Sequence, residues 1–194
     1  MGWRTQENVT IYTEKIRSPE TSNFDLASYS WFLRDCAIEG LDISEAIPRL
    51  VELLYHEDTH VQRNAAGTLE KTAENGADIF DAVSRLIELA VESDWDLLKR
   101  HVTSALENFV ENGSKENFIR VRKRMQDEIK KEKDPVRKLR LKIIFARFYR
   151  KTISNINCSM ELDGIRPLEM SNVKTLKLPK RRKGKFRMRR VRNG

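Results

Sequence analysis

An internal repeat restricts the fold of this chain more than any other feature of its sequence. Residues 41–76 read LDISEAIPRLVELLYHEDTHVQRNAAGTLEKTAENG, and residues 77–113 read ADIFDAVSRLIELAVESDWDLLKRHVTSALENFVENG. The two segments align with one inserted residue, which gives a period of 36 to 37 residues. Units of this length bury their apolar faces by stacking on their neighbours, so the repeat predicts a solenoid.

Each unit predicts two helices. A first apolar stripe has the i, i+3, i+4, i+7 spacing of a helix face, at Ile47, Leu50, Val51 and Leu54. A polar turn at Asp58 separates it from a second helix, which ends at Asn75-Gly76, where glycine favours a left-handed helix end. Because proline is poorly tolerated inside a helix, Pro48 predicts a short turn over 42–46 and a longer helix from about residue 47.

Weaker copies of the unit flank the two clear ones. Helices are predicted upstream at 7–17 and 27–40, and downstream at 118–129 and 134–151. We therefore predict an all-α, right-handed α-solenoid of about three to four repeats over residues 1–153, with degenerate ends. We expect an irregular strap or linker at 154–170 and a basic, disordered tail at 171–194.

The clear repeats resemble a known family. The string VQRNAAGTLEKTA (61–73), preceded by AIPRLVELL (46–54), is similar to the armadillo repeat of the armadillo/HEAT superfamily. The second unit, with AVSRLIELA and SALENF, is similar but looser. The resemblance implies a non-enzymatic binding or scaffold protein, because the superfamily serves transport, adhesion, signalling and scaffolding.

The resemblance also implies candidate partner-binding positions. Armadillo proteins that hold extended peptides often carry a Trp, and four residues later an Asn, on the concave helix of each repeat. The equivalent pairs here are Trp31 and Asp35, Gly67 and Lys71, and Ser104 and Asn108. Only Trp31 and Asn108 match, so the partner-binding candidates are Trp31, Asp35, Lys71 and Asn108. The alternative is that Trp31 packs between repeats and Asn108 is solvated.

The two halves of the chain carry opposite charge. Residues 1–113 contain 10 Lys/Arg and 21 Asp/Glu, whereas residues 114–194 contain 27 and 8. The first half therefore predicts an acidic repeat surface for a protein or peptide partner. The second predicts contact with RNA, DNA or another polyanion.

The last 24 residues contain 11 Lys/Arg and no acidic residue. Such a run is expected to be disordered when free. It is interpreted in three ways: it neutralises phosphates, it is a nuclear-import address if the organism is eukaryotic, or it folds back on the acidic repeats. The candidate nucleic-acid contacts in the tail are Lys180, Arg181, Arg182, Lys183, Lys185, Arg187, Arg189 and Arg190.

The helices before the tail are basic too, with 15 Lys/Arg against 5 Asp/Glu over 114–151. They add the nucleic-acid candidates Arg120, Arg122, Lys123, Arg124 and Lys130. An alternative function follows, in which the repeat domain itself is the main nucleic-acid surface. The simpler alternative is a solvated helix face with i,i+4 ion pairs.

No motif for catalysis or for a cofactor is present. The sequence contains no GxSxG, no GxxxxGK[ST] and no GxGxxG. We therefore predict that the protein is not an enzyme and binds no cofactor, metal or small-molecule substrate. A helical-repeat enzyme that acts on nucleic acid is a remote alternative. His56 and His60 are expected in a turn, His101 on the surface, Cys36 as an inert buried thiol, and Trp95 as the filling of an inter-repeat gap.

The location follows from what the sequence lacks. No apolar run approaches the ~20 residues of a membrane span, and residues 1–10 lack the apolar core of a signal peptide. The two cysteines do not form a disulfide framework. We expect a cytoplasmic protein without membrane contact, or a nuclear one if Lys180–Lys183 is read as an import address.

Overall fold

Local sequence signals set where several helices of this chain begin. The computed structural model describes residues 4–155, which form four antiparallel helical hairpins within one compact unit. Thr5 and Ser22 precede the first two helices, and each hydroxyl oxygen accepts a hydrogen bond from the backbone N–H three residues on, at 3.3 and 3.2 Å. Asp58 caps a later helix through the N–H of His60, at 2.7 Å.

The helices pair in chain order. Their bounds are α1 Gln6–Arg17, α2 Asn23–Ile38, α3 Ile47–Leu53, α4 Thr59–Glu74, α5 Val83–Glu92, α6 Asp96–Glu111, α7 Lys115–Lys131 and α8 Pro135–Asn155. All six predicted helices of the flanks and first repeat are present, and those of the second repeat follow the same pattern. The fold prediction of an all-α solenoid of about three to four helical repeats is thus confirmed.

The connection between hairpins has the form that Pro48 predicts. A 3₁₀ turn at Ser44–Ala46 leads directly into α3, with the proline in the first turn of the helix, where it loses no hydrogen bond. A second 3₁₀ turn at Phe80–Ala82 leads into α5 in the same way. Gly76 has φ 83°, the left-handed conformation expected of it after α4.

The second helices α2, α4 and α6 pack side by side through the middle of the molecule. Both flanks of α4 are covered, which explains why it carries small residues where a surface helix would be polar. The buried residues of α4 are Val61, Asn64, Ala65, Ala66, Gly67, Thr68, Leu69, Thr72 and Ala73. A continuous apolar core extends from Val9 in α1 to Phe148 in α8.

Residues 156–194 lie outside the described residues. They include most of the predicted linker and the whole predicted basic tail, so both assignments stay predictions. Within the described part of the chain, no helix is long and apolar enough to cross a membrane.

Candidate functional site

Polar side chains fix the register between neighbouring second helices. The amide Nδ2 atoms of Asn64 and Asn75 donate to the carbonyl oxygens of Ala27 and Ala37, at 2.8 and 2.6 Å. The hydroxyl of Thr68 donates to the carbonyl oxygen of Ser30, at 2.7 Å. Each bond joins residues one repeat apart, so equivalent side chains lie in rows across α2, α4 and α6. We call the solvent-facing side of α2, α4 and α6 the second-helix face. It includes Phe24 and Trp31 of α2, Arg63 of α4 and Arg100 of α6.

An aromatic cleft opens at the N-terminal end of this face, between α2 and α4. Its volume is about 760 Å³, and its walls include Phe24, Ala27, Trp31, Arg63 and Asn64. Phe24 is 80% exposed and Trp31 is 43% exposed, which is unusual for large apolar side chains. Two exposed aromatic residues beside a concave surface are typical of a binding site.

Arginine side chains stack on the tryptophans that flank this cleft. The guanidinium of Arg34 lies 4.8 Å from the ring centre of Trp31, and that of Arg63 lies 5.0 Å from the ring centre of Trp95. Trp95 also meets the ring of His60 edge-on, at 5.2 Å between ring centres. Trp95 therefore packs α6 against α4, which confirms the prediction that it fills an inter-repeat gap.

A buried polar pair lies in the middle of the face. The Nδ1 atom of His101 in α6 is 2.5 Å from a carboxylate oxygen of Glu70 in α4. Gly67 faces the pair, and a Cβ at this position would make ordinary van der Waals contact, at 3.5 Å, with both His101 and the side chain of Arg34. The prediction that His101 lies on the surface is wrong. It is 8% exposed, because it occupies the position of Asn64 one repeat later and packs against α4 as Asn64 packs against α2.

A second cleft, the basic cleft, lies where α6 meets α8. Its volume is about 400 Å³, and it is lined by Asp96, Lys99, Arg100, Thr103, Ser104, Glu107 and Arg147. Arg100 is equivalent to Arg63 of the aromatic cleft, and Ser104 to Trp31, so both clefts open on the second-helix face. Sequence reasoning missed this cleft because Arg147 comes from a hairpin that the repeat alignment does not reach.

Comparison with known proteins agrees with this architecture. The sequence model of the armadillo/beta-catenin-like repeat matches residues 43–71. A crystal structure of an engineered protein from the Northeast Structural Genomics Consortium is 20% identical, with a TM-score of 0.54 over 76% of this chain and 68% of that chain. Computationally designed armadillo repeat proteins for modular peptide recognition are 18% identical, with a TM-score of 0.52 over 76% of this chain and 70% of that chain.

The protein has an armadillo-like repeat fold. No curated protein matches its sequence. The fold comes from the repeat match and the structural neighbours together, and the neighbours' low identity carries no further conclusion about what this chain binds.

The armadillo-type partner positions are only partly free to bind. Trp31 is exposed on the second-helix face, rather than packed between repeats. Asp35 lies 3.5 Å from Arg4, and Lys71 lies 2.6 Å from Glu74. Asn108 is not simply solvated, because its Nδ2 atom donates to the carbonyl oxygen of Glu70, at 3.2 Å. The structure places these residues in the expected rows, and their role in partner binding stays a prediction.

The predicted nucleic-acid residues of α7 differ in how far they are already engaged. Arg120 stacks on the ring of Phe80, at 3.7 Å, and lies 3.5 Å from Asp78. Arg122 faces Tyr149 at 5.8 Å, and Arg124 lies 3.4 Å from Glu128. Lys123 and Lys130 are exposed. The ion pair of Arg124 is the i,i+4 type that the simpler reading of this helix expects. The eight candidate residues of the tail lie outside the described residues.

The remaining reactive side chains have structural roles. His56 accepts a hydrogen bond at Nδ1 from the backbone N–H of Asp58, at 3.0 Å, and so shapes the turn before α4. Cys36 is fully buried, and burial raises the pKa of its thiol, which keeps it protonated and inert at neutral pH. Among the described residues, no group of three His, Cys, Asp or Glu side chains is placed to hold a metal ion.

Proposed function

We propose that this protein is a non-enzymatic scaffold that binds a protein or an extended peptide on its second-helix face. The observation that carries the proposal is the aromatic cleft, where Phe24 and Trp31 remain exposed beside a cavity with a volume of about 760 Å³. Aromatic anchors in pockets supply most of the binding energy at protein interfaces. The designed armadillo proteins among its structural neighbours were made for modular peptide recognition, which supports the same use of this face.

The acidic character of the first half of the chain contributes less to this face than the composition suggests. Many of its carboxylates lie on the first helices and in the connections, such as Glu14 on α1 and Glu45 and Asp81 in the connections. Others on the second helices already have basic partners, as Glu70 and Glu74 do. The acidic partner surface that composition predicts is therefore proposed for the first helices and connections.

A selection experiment tests the proposed function. Full-length protein would be used to select binders from a displayed library of random peptides, and the affinity of the selected peptides would be measured for wild type and two variants. Trp31→Ala removes an exposed aromatic side chain under an arginine on the second-helix face. Tyr55→Ala is the matched control, because Tyr55 is 60% exposed and lies under Arg85 at 4.7 Å, but outside this face.

We expect the selected peptides to lose about tenfold or more in affinity for Trp31→Ala, as for an interface hot spot, and little for Tyr55→Ala. Failure to enrich any peptide, or equal losses in both variants, would contradict the proposal.

We further propose that the basic C-terminal region contacts nucleic acid or another polyanion. The support is its charge, since residues 171–194 contain 11 Lys/Arg and no acidic residue. The test measures binding of random RNA and duplex DNA across salt, using the full-length chain throughout. One variant replaces Lys180, Arg181, Arg182 and Lys183 by Gln, and the control replaces Lys123 and Lys130 by Gln.

We expect the tail variant to flatten the dependence of log K on log salt, by about 0.9 for each phosphate of duplex DNA that the protein no longer neutralises. An unchanged slope in the tail variant, with a flatter slope in the α7 control, would instead favour the repeat domain as the nucleic-acid surface.

A further inference from the structure

The charges on the second-helix face are unevenly paired. Three of its carboxylates have basic partners, Asp35 in Arg4, Glu70 in His101 and Glu74 in Lys71. The cations of the basic cleft are different. Lys99, Arg100 and Arg147 make no ion pair with any described carboxylate. Asp96 and Glu107 line the same cleft, so three cations there face two carboxylates and the local charge is positive, although residues 1–113 are acidic overall.

One further cation lies at the aromatic cleft, which Asp58 also lines. Arg63 lies at the edge of that cleft, one repeat before Arg100, and its Nε atom bonds only a neutral partner, the side-chain oxygen of Asn64, at 3.0 Å. The face therefore has an apolar end at Phe24 and Trp31, a cation at Arg63, and a cation cluster at the basic cleft.

The spacing of these features suits an extended chain. Packed helices lie about 8–10 Å apart, and an extended peptide rises about 3.3 Å per residue. A peptide that crosses the second helices thus advances about three residues from one helix to the next. An apolar side chain packed on Phe24 and Trp31 of α2 would place an acidic residue about three positions further along beside Arg63 of α4. A second acidic residue, about six positions along, would lie beside Lys99 and Arg100 of α6, with Arg147 further on.

We propose that the partner of the second-helix face is an acidic segment with an apolar anchor. The anchor, an aromatic or large aliphatic side chain, packs against Phe24 and Trp31, and the carboxylates that follow it pair with Arg63 and the basic cleft. The inference rests on the proposed function and specifies the partner's chemistry. The hydroxyl group of Ser104 in the basic cleft adds a hydrogen-bond donor for a carboxylate.

A nucleic acid fits this face less well. Asp96 and Glu107 line the same cleft as the cations, and a continuous phosphate backbone would have to pass both carboxylates. Separate carboxylates on a peptide avoid them, because neutral residues lie between the charges. The aromatic cleft adds apolar surface that a phosphate backbone does not use.

The test uses defined fluorescent peptides and the full-length protein. The acidic probe carries one Phe and glutamate pairs at intervals of about three residues, in both sequence directions. One control probe has lysine in place of each glutamate, and another has alanine in place of the phenylalanine. The protein variants are Arg100→Glu, the conservative Arg100→Lys, and the charge-matched control Lys123→Glu on α7, where Lys123 is also exposed.

We expect the acidic probe to bind and both control probes to bind at least about tenfold more weakly. Arg100→Glu is expected to weaken the acidic probe about tenfold, with an effect that shrinks as salt is raised, because an attraction becomes a repulsion. Arg100→Lys should retain most of the affinity, and Lys123→Glu should change it by less than about threefold, the variation of a rim charge.

The other outcomes separate the inference from the proposed function. Preferential binding of the lysine probe, still lost in Trp31→Ala, would overturn the acidic partner and leave peptide binding in place. Binding of no probe, together with an empty library selection, would overturn both. Displacement of the acidic probe by random RNA, with RNA binding lost in Arg100→Glu, would replace the peptide by a nucleic acid and overturn the inference.

Discussion

The junctions between successive hairpins are built in two ways. After α2 and α4 the chain turns through a left-handed glycine, Gly40 or Gly76, with φ 77° and 83°. An aspartate follows two residues later, and its carboxylate accepts the backbone N–H two residues further on, at 2.9 Å for Asp42 and 2.8 Å for Asp78. A buried isoleucine and a 3₁₀ turn complete each junction. After α6, by contrast, Gly113 is not left-handed, and α7 starts at Lys115 without a 3₁₀ turn.

The two kinds of junction also differ in the hydrogen bonds that attach the following hairpin to the preceding one. The Nε atoms of Arg49 and Arg85 donate to carbonyl oxygens at the end of the preceding first helix, those of Ile16 and Leu54, at 2.8 and 3.1 Å. The last hairpin uses its second helix for this purpose, because Arg140 of α8 donates to the carbonyl oxygen of Val91, at 3.2 Å.

This difference shows that the armadillo pattern is a property of the junction as much as of the helices. The first three hairpins are joined by the same chain of local devices, one repeat apart. The fourth packs on the same core through a different set of contacts, which brings Arg147 to the second-helix face.

The largest effect that tests this comparison is expected at a junction isoleucine. Ile79 is 1% exposed, so Ile79→Ala should lower the free energy of unfolding by about 2–5 kcal/mol, through reduced burial and a cavity. Ile119→Ala in α7, where the side chain is 48% exposed, is the control and should cost less than about 0.5 kcal/mol. Urea unfolding measures both, and equal costs would show that the junction core is unimportant.

Substitutions at Gly76 and Gly113 should show that the two positions need glycine for different reasons, a left-handed backbone at Gly76 and a lack of space at Gly113. In Gly113→Ala the new Cβ would lie 2.5 Å from the carbonyl oxygen of Phe109, a clash expected to cost about 1–3 kcal/mol. Gly76→Ala meets nothing closer than 3.8 Å, but its left-handed backbone costs about 1–2 kcal/mol. Asparagine tolerates that backbone, so Gly76→Asn should recover part of the loss and Gly113→Asn should not. Thermal unfolding that shows recovery at both positions would contradict this distinction.

The junction arginine should matter more than an arginine of the last hairpin. Arg85 has a side chain only 15% exposed, which bonds the Leu54 carbonyl and two glutamates, so Arg85→Met should cost about 1–2 kcal/mol. Arg137, at 40% exposure, pairs with Glu92 and Glu132, and Arg137→Met should cost about 0–1 kcal/mol. The second loss should fade in high salt in urea titrations, and a larger loss for Arg137 would reverse the comparison.

The smallest effect is expected from the exposed junction aspartate. The backbone N–H of Ser44, and then its hydroxyl, hold the pKa of Asp42 below its ordinary value. The stability that this provides is present above the ordinary pKa and is lost as the pH falls through the lowered one. Carboxyl NMR titration should show the lowered pKa, and Ser44→Ala should leave most of the shift, because the backbone bond is its main cause. A complete loss of the shift in Ser44→Ala would assign it to the hydroxyl.

The sequence predicted the fold better than the site, for identifiable reasons. Val61, Ala65 and Leu69 repeat one period later as Leu98, Val102 and Leu106, so burial on α4 and α6 could be read from the pattern. Pro48 and Gly76 carry local backbone preferences that act within one turn. These features depend on neighbours in sequence, and the structure confirms them.

The functional face depends on neighbours in space. His101 follows two basic residues, which favours a surface position, yet it packs against α4 beside Glu70 and is buried. Asn108 matches the armadillo peptide ladder, but its amide binds the preceding helix. The basic cleft combines α6 with Arg147 of α8, which no repeat alignment connects.

The repeated junction also bears on how such a chain changes in length during evolution. Residues 41–76 contain a complete unit, with the incoming turn, both helices and the left-handed glycine that starts the next unit. Duplication of this segment would insert a repeat whose two ends already match its neighbours. Duplication of the last hairpin would not give matching ends, because this hairpin starts from a different junction. Growth of this solenoid is therefore favoured in its interior, and each added unit would increase the distance between the aromatic and basic clefts.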